Sequence, residues 1–189
     1  MRQIIVEVEV SLDGGLGGNN PDFWKQIFPS HSPDVKDYLM DLLFTPDALL
    51  MGRKTYEGFA QIWPTRSGKD ADKINNMPKY VASRTLSAPL QWNATLMKGD
   101  AATEIQKLKQ APGKSLVQYG VGELTHTILQ HGLVDELRVL VYPFAFGGEV
   151  PRLFEHMGLH PLKLLNTTTF SSGVVALTYQ PNAAPTLGS

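Results

Sequence analysis

The chain has 189 residues with 17 Lys and Arg against 18 Asp and Glu, a formal net charge of −1, and no cysteine. Hydrophobic residues make up 42% and charged residues 19%, which supplies a packed core and argues against disorder over most of the length. Balanced charge predicts no nucleic-acid or membrane partner, and the missing thiols exclude disulfides, cysteine nucleophiles and thiolate metal sites.

The apolar segments are all short. No stretch reaches the roughly 18 apolar residues of a membrane span, and the first residues lack the apolar centre of a signal peptide. We therefore expect a cytoplasmic protein. The composition predicts one domain over residues 1–180 and a flexible tail over residues 181–189, which are rich in Ala, Pro and Gly.

The first predicted elements are a strand and a long loop. Residues 3–12 run or alternate apolar as a strand does, and the glycines and asparagines of residues 13–20 break regular structure. We expect this loop to be mobile and to close over a substrate, with Phe23 and Trp24 either behind it or buried in the core.

Helix and strand patterns alternate through the middle of the chain. Helical spacing of apolar residues covers residues 33–45, 53–61, 101–110 and 124–129. Short apolar strands are predicted at residues 48–51, 79–82 and 115–119. This alternation predicts parallel strands joined by right-handed crossovers, and thus an α/β fold.

The end of the chain has a different pattern. It contains a strand at residues 136–142, a helical turn at 151–156, and two strands at 162–170 and 174–179 separated by turn residues. We expect these last strands to form a C-terminal antiparallel hairpin at one edge, which makes the sheet mixed but mostly parallel.

Three strand ends carry glycine, hydroxyl or cationic residues. Parallel strands place their carboxyl ends at one edge of a sheet, where ligands bind. The segment Gly52-Arg53-Lys54-Thr55 puts two cations at a helix start, which suits the helix dipole poorly unless an anion binds there. The alternative interpretation is a solvated basic turn.

Ser83-Arg84-Thr85 and Gly120-Val121-Gly122 follow two other strands. Arg84 would favour the 2′-phosphate of NADP over the hydroxyl of NAD, and the glycines would let backbone amides approach a pyrophosphate. Surface placement of Arg84 and a tight turn at the glycines are the alternatives, and the third glycine of the dinucleotide fingerprint is absent. Together the three segments predict NADPH as the cofactor.

Four motifs, in order, resemble a known family. They are residues 11–14, 50–57, 79–85, and 132–138 with the Pro, Gly-Gly and Leu-Phe that follow at 143, 147–148 and 153–154. They are similar to the dihydrofolate reductase-like family, which includes the C-terminal reductase domain of bacterial riboflavin biosynthesis, from about Ile4 to Tyr179. The resemblance implies a three-layer fold with helices on both faces of the sheet, NADPH across the strand ends, reduction of a pteridine, pyrimidine or related heterocycle, and commonly a homodimer.

The resemblance also assigns site residues. The cofactor-binding candidates are Gly52, Arg53, Lys54, Thr55, Ser83, Arg84, Gly120, Val121, Gly122 and Glu123. Val121 departs from the family pattern, which often has two adjacent small residues, and its branched Cβ restricts the backbone.

On the substrate side, the catalytic candidates are two acids, Asp13 and Asp37. Asp13 ends the first strand and would face the nicotinamide, although Asp-Gly also makes a good turn by itself. Asp37 matches the substrate-holding acid of folate reductases only with a one-residue gap, and is otherwise a solvated side chain. Asp34 is expected to cap its helix.

These expectations describe an NADPH-dependent reductase of a flat nitrogen heterocycle such as a folate or a ribosylaminopyrimidine. The zinc pattern His-Glu-x-x-His, the hydrolase elbow and the phosphate-binding loop of NTPases are absent from the sequence, so we expect no metal. Two other interpretations stay open, a non-catalytic nucleotide-binding module and an assembly protein whose strand at 136–142 serves a dimer.

Overall fold

The computed structural model describes residues 1–155 and 158–182, which fold around one eight-stranded sheet. The strands are β1 (Ile4–Ser11), β2 (Ala48–Gly52), β3 (Lys79–Ala82), β4 (Ala94–Leu96), β5 (Leu116–Tyr119), β6 (Glu136–Tyr142), β7 (Leu162–Thr169) and β8 (Val175–Pro181). The helices are α1 (Pro21–Ile27), α2 (Pro33–Phe44), α3 (Arg53–Ile62), α4 (Lys69–Asn76), α5 (Ala101–Gln110) and α6 (Glu123–Gln130).

The sheet has the strand order β4-β3-β2-β5-β1-β6-β8-β7. From β4 to β6 all neighbouring strands are parallel, whereas β8 and β7 add antiparallel to β6. The predicted α/β fold, with its mixed and mostly parallel sheet and its C-terminal hairpin, is confirmed.

The central strand β1 is buried along nearly its whole length, and its side chains divide between the cores on the two faces of the sheet. Val6, Val8 and Val10 of β1 lie in an apolar cluster beneath α5 and α6. The opposite face is covered by α1 and α2 over β6 and β8, and by α2, α3 and α4 over β2 and β3. Strands β2 and β5 are buried on both faces of the sheet, which explains their continuous apolar sequence. The three layers implied by the resemblance are therefore present.

The expected loop after β1 is present between Ser11 and Pro21, and hydrogen bonds tie its middle to the rest of the fold. The Gly15 amide donates to Ser11 Oγ at 2.9 Å, and the Leu16 amide donates to the Pro151 carbonyl at 2.8 Å. Phe23 is fully buried, in agreement with the alternative that it belongs to the core. The Trp24 indole donates to the Gly18 carbonyl at 3.0 Å. α1 was not predicted from the sequence, because it is short and directly follows the glycines and asparagines of residues 13–20, which break regular structure.

The prediction that Asp34 caps a helix is wrong. Ser32 holds the cap position and Asp34 lies within the first turn of α2. The Asp34 carboxylate instead accepts from the Ser171 amide at 2.8 Å and from the Ser171 hydroxyl at 2.9 Å. The hydrogen bond from the Ser32 hydroxyl, together with those from Ser171, holds the pKa of Asp34 at about 2, and the Ser171 bonds tie the start of α2 to the turn of the β7–β8 hairpin.

Two further predictions concern the end of the chain. In the predicted helical turn at 151–156, Arg152 pairs with Gly15 in an isolated β-bridge and residues 153–155 form a turn, while His156 lies outside the described residues. Of the predicted tail, Pro181 ends β8 and the Asn182 amide donates to the Pro161 carbonyl at 2.9 Å. Residues 183–189 lie outside the described part of the chain. Among the helices of the described ranges, none is long and apolar enough to cross a membrane.

Candidate functional site

The order of the strands places a switch point between β5 and β1, where a ligand crevice is expected. The chain leaves β1 through α1 and α2 toward β2, on the far side of β5, and leaves β5 through α6 toward β6, on the far side of β1. Because α2 and α6 lie on opposite faces of the sheet, no crossover covers the carboxyl edge at this point. Ligands of open α/β sheets bind at such switch points.

The three predicted cofactor segments meet at this edge, around the first residues of α6. A Cβ added to Gly52 would lie 3.8 Å from Leu124 Cβ, which places the end of β2 against α6. Arg84, in the loop after β3, has Nη2 at 3.6 Å from Glu123 Oε2. Gly120 follows β5 and leads into α6 through Val121 and Gly122. The structure therefore brings the segments together, and their binding roles stay predictions.

The start of α3 presents the predicted basic segment. Gly52 holds the cap position, and no side chain caps the first amides of the helix. Arg53 and Lys54 are exposed, and Arg53 Nη1 lies 3.0 Å from Glu57 Oε2 one turn later. Thr55 is half-buried. An anion at this helix start would find backbone donors and two cations, which is the fit that a phosphate requires.

The Gly120 loop has the open backbone that a pyrophosphate requires. Gly120 has a φ of +77°, a conformation that favours glycine, and nothing lies within 4 Å of a Cβ added at Gly120 or at Gly122. The side chain of Val121 packs against the core cluster beneath α6, so it does not cover the glycines. Although Val121 departs from the family pattern, it therefore leaves the surface of the two glycines open.

Ser83 and Arg84 have different roles in the loop after β3. Ser83 Oγ accepts from the Thr85 amide at 3.1 Å and from the Leu86 amide at 3.0 Å, so this hydroxyl shapes the turn. The Arg84 and Glu123 side chains are 92% and 93% exposed, which leaves the guanidinium accessible to a phosphate.

Asp13 is locked into the loop that follows β6. Its carboxylate accepts from Ser11 Oγ at 2.6 Å and from the amides of Phe146 and Gly147 at 2.9 and 3.0 Å, and Arg152 Nη1 lies 3.2 Å away. The hydrogen bond from Ser11, with those from the two amides, holds the pKa of Asp13 well below its usual range. Asp13 is therefore an ionised group that fixes a loop. A cleft of about 880 Å³ opens beside it, between Asp13, Gly14 and residues 148–155.

Asp37 does not join these residues. It is exposed on α2, between the buried Val35 and the half-buried Leu39, and so lies on the side of the helix that faces away from the sheet. Its assignment as a substrate-binding acid stays a prediction.

Sequence reasoning missed a polar network on the α2 face of the sheet. The Tyr142 hydroxyl donates to Glu9 Oε1 at 2.7 Å, and His31 Nε2 lies 2.8 Å from the same hydroxyl. Burial raises the pKa of Tyr142, with the Glu9 charge adding to the effect, so the phenol keeps the proton that it donates. The sequence feature that could have revealed this network is the pair Glu7 and Glu9, which alternate with apolar residues in an otherwise apolar strand.

A mostly parallel sheet with helices on both faces and a switch point between β5 and β1 defines the chain as an open α/β domain. More specifically, the chain belongs to the RibD C-terminal domain family, which matches residues 2–176.

Similar proteins support this assignment. The uncharacterized protein YyaP of Bacillus subtilis (strain 168) is 34% identical over 186 residues, covering 96% of both chains. A candidate riboflavin biosynthesis protein from Shewanella sp. PV-4 has a TM-score of 0.76 at 21% identity, covering 95% of this chain and 99% of that chain. A pyrimidine reductase-like protein from Corynebacterium diphtheriae has a TM-score of 0.66 at 12% identity, covering 97% and 93%. At these identities the two solved structures show the shared fold.

Proposed function

We propose that this protein is an NADPH-dependent reductase that transfers a hydride to a flat nitrogen heterocycle. The substrate class is a pterin or folate, or a ribosylaminopyrimidine of the riboflavin biosynthesis type. Membership of the RibD C-terminal domain family supports a reductase. The expected homodimer and cytoplasmic location belong to the same proposal.

One observation carries the cofactor assignment, namely that three chemically suitable segments meet around the start of α6. The basic start of α3 and the open glycines of 120–122 suit the phosphates, and the accessible Arg84 suits a 2′-phosphate. A solvated turn would explain each segment alone. It does not explain why Gly52 and Arg84 both lie close to the first residues of α6.

The chain's own residues would bind and orient the reactants. Bound NADPH supplies the hydride. The glycine backbone and the start of α3 would hold its phosphates beside the crevice expected between β5 and β1. Asp13 would fix the loop after β6 beside this crevice, through its bonds to Phe146 and Gly147. A pKa this low keeps Asp13 ionised, so the proton for reduction comes from another group or from water.

Comparative thermal stabilisation tests the cofactor. A ligand that binds the native state raises the melting temperature, Tm, according to its concentration and affinity. We expect NADP and NADPH to raise Tm more than NAD and NADH at equal concentrations. A larger shift with NAD would contradict the role of Arg84, and no shift with any of the four would contradict the proposal.

The alternative is a non-catalytic nucleotide-binding module on the same fold. Oxidation of NADPH, followed at 340 nm with pterins and aminopyrimidines as acceptors, separates the two. Turnover with any acceptor excludes the module. Binding of NADPH without turnover, across both substrate classes, favours it.

A further inference from the structure

The carboxyl group of Glu7 is buried at the crevice without a hydrogen-bond donor for one of its oxygens. Glu7 is 5% exposed, and among the described residues no group lies within hydrogen-bond distance of its Oε1. Burial raises the pKa of this carboxyl well above its usual range, and the neighbouring Glu9 raises it further. An unpaired polar atom in such a place is costly unless a ligand or a proton completes it.

The register of the strands places Glu7 next to the predicted cofactor loop. Glu7 is the last residue of β1 that pairs with β5, opposite Tyr119, and its carbonyl accepts from the Gly120 amide at 2.8 Å. Beyond this point β1 continues to Ser11 beside β6, and Val10 also forms an isolated antiparallel bridge with Leu16 of the following loop. The side chains of Glu7 and Glu9 therefore lie on one face of β1, at and just beyond its last pair with β5.

The surrounding charges do not neutralise this acid pair. Arg138 faces Glu7 from β6, but its guanidinium donates to Glu136 at 2.9 and 2.6 Å. Glu9 is held by the neutral Tyr142 hydroxyl, with His31 at 3.4 Å. Among the described residues, Glu7 thus keeps one carboxyl oxygen without a donor, while Glu9 is bonded to Tyr142 and Arg138 is committed to Glu136.

We propose that Glu7 and Glu9 form the substrate-recognition edge of the site and bind a flat heterocycle through N–H donors at two ring positions. This inference rests on the proposed function and names the side of the substrate that faces β1. Side chains two residues apart on a strand are about 7 Å apart, a separation that amino groups flanking one ring nitrogen can bridge. An edge of this kind rejects rings that present only acceptors or methyl groups there, because the buried acids would stay unpaired.

Direct binding tests the acid pair without turnover. The probes are 2,4-diaminopyrimidine and the similarly shaped 2,4-dimethylpyrimidine, titrated calorimetrically into the protein with NADP present and again with NADP absent. We expect the diamino probe to bind at least about tenfold more tightly, as a polar site discriminates against a ligand that lacks its donors. Glu7→Gln and Glu9→Gln should each remove most of that preference. Glu104→Gln, on α5 and the other face of the sheet, should retain it.

Two results would overturn the inference: equal binding of the probes to the wild type, or an unchanged preference in both glutamine variants. Glu9→Gln keeps the test decisive if Glu7→Gln fails to fold. The NADP shift in Tm is measured on the same samples. Its absence beside an acid-dependent probe preference would contradict the proposed cofactor and leave the acid pair standing.

Discussion

Arg84 Nη2 lies 3.6 Å from Glu123 Oε2, across the end of β2. Both side chains are more than nine-tenths exposed, and exposed pairs of this kind contribute little to stability. The pair is informative because it shows that the loop after β3 and the start of α6 border one surface. A phosphate arriving there would replace Glu123 as the partner of Arg84 with little loss to the fold.

Replacing this arginine should change cofactor preference more than cofactor binding in general. We expect Arg84→Ala to weaken NADPH binding by about tenfold or more, because a charge-assisted contact with the 2′-phosphate is lost. The affinity for NADH should stay nearly unchanged. Titration of both cofactors into wild type and variant measures the effect. Arg66→Ala removes another exposed arginine, which stacks on Trp63, and is the matched control. Equal losses for NADPH and NADH in Arg84→Ala would refute the assignment.

Asp13→Asn should lower Tm at neutral pH. The asparagine side chain would turn an NH₂ group or a weaker acceptor toward the amides of Phe146 and Gly147, which now donate to a carboxylate. Because the folded-state pKa is lowered, the Asp13 contribution is fully present above the unfolded value of about 3.9 and is lost as the pH falls below it.

The Tm difference between wild type and Asp13→Asn should therefore be largest between about pH 6 and 8 and shrink below about pH 4. Asp22→Asn, in an exposed pair with Lys25, is the control and should show no such trend. If Asp13 acted only on a substrate, the Tm of the two proteins would coincide at every pH.

The regular part of the fold could be predicted because its signals are local and long enough. The strand at 136–142 is observed with the same limits, and Leu124, Thr125, Ile128 and Leu129 form the buried face of α6 as expected. β4 could not be predicted, because only Ala94–Leu96 form it and pairing with β3 defines it. The role of Asp34 depends on Ser171, which is distant in sequence.

The cofactor side of the candidate site could be predicted from the sequence more fully than its substrate side. The cofactor segments each follow a strand, so the rule for parallel sheets places Gly52, Ser83 and Gly120 at one edge. The substrate side depends on which face of β1 borders the crevice, and that follows from the register of Glu7 with Tyr119. Register between distant strands cannot be read from either strand alone.

Glu7→Gln should stabilise the protein in the absence of ligand. A folded-state pKa raised by burial means that stability is present below the unfolded value of about 4.3 and declines as the pH rises toward the folded value. Glutamine cannot ionise, so its advantage should be larger at pH 8 than at pH 4. We expect Glu7→Gln to have a higher Tm than the wild type at pH 8, measured by thermal unfolding across this pH range.

Glu9, Arg138 and Tyr119 face Glu7 from the neighbouring positions and remain in place in this variant. Glu104→Gln again serves as the control, since Glu104 forms an ordinary surface pair with Lys107 at 2.6 Å. A pH-independent Tm difference for Glu7→Gln would mean that Glu7 does not titrate over this range.

Gly17→Ala should destabilise the protein by displacing a buried ring. A Cβ at Gly17 would overlap the ring of Phe23, which is fully buried and packs edge-on against Phe144 and Phe146 at 5.5 and 5.3 Å. Overpacking of this kind costs about 1–3 kcal/mol, measurable by denaturant unfolding. Gly58→Ala, on α3 with open space around it, should instead stabilise by about 0.5–1 kcal/mol. If Gly17→Ala matched Gly58→Ala, the loop after β1 would not be packed on the Phe23 cluster.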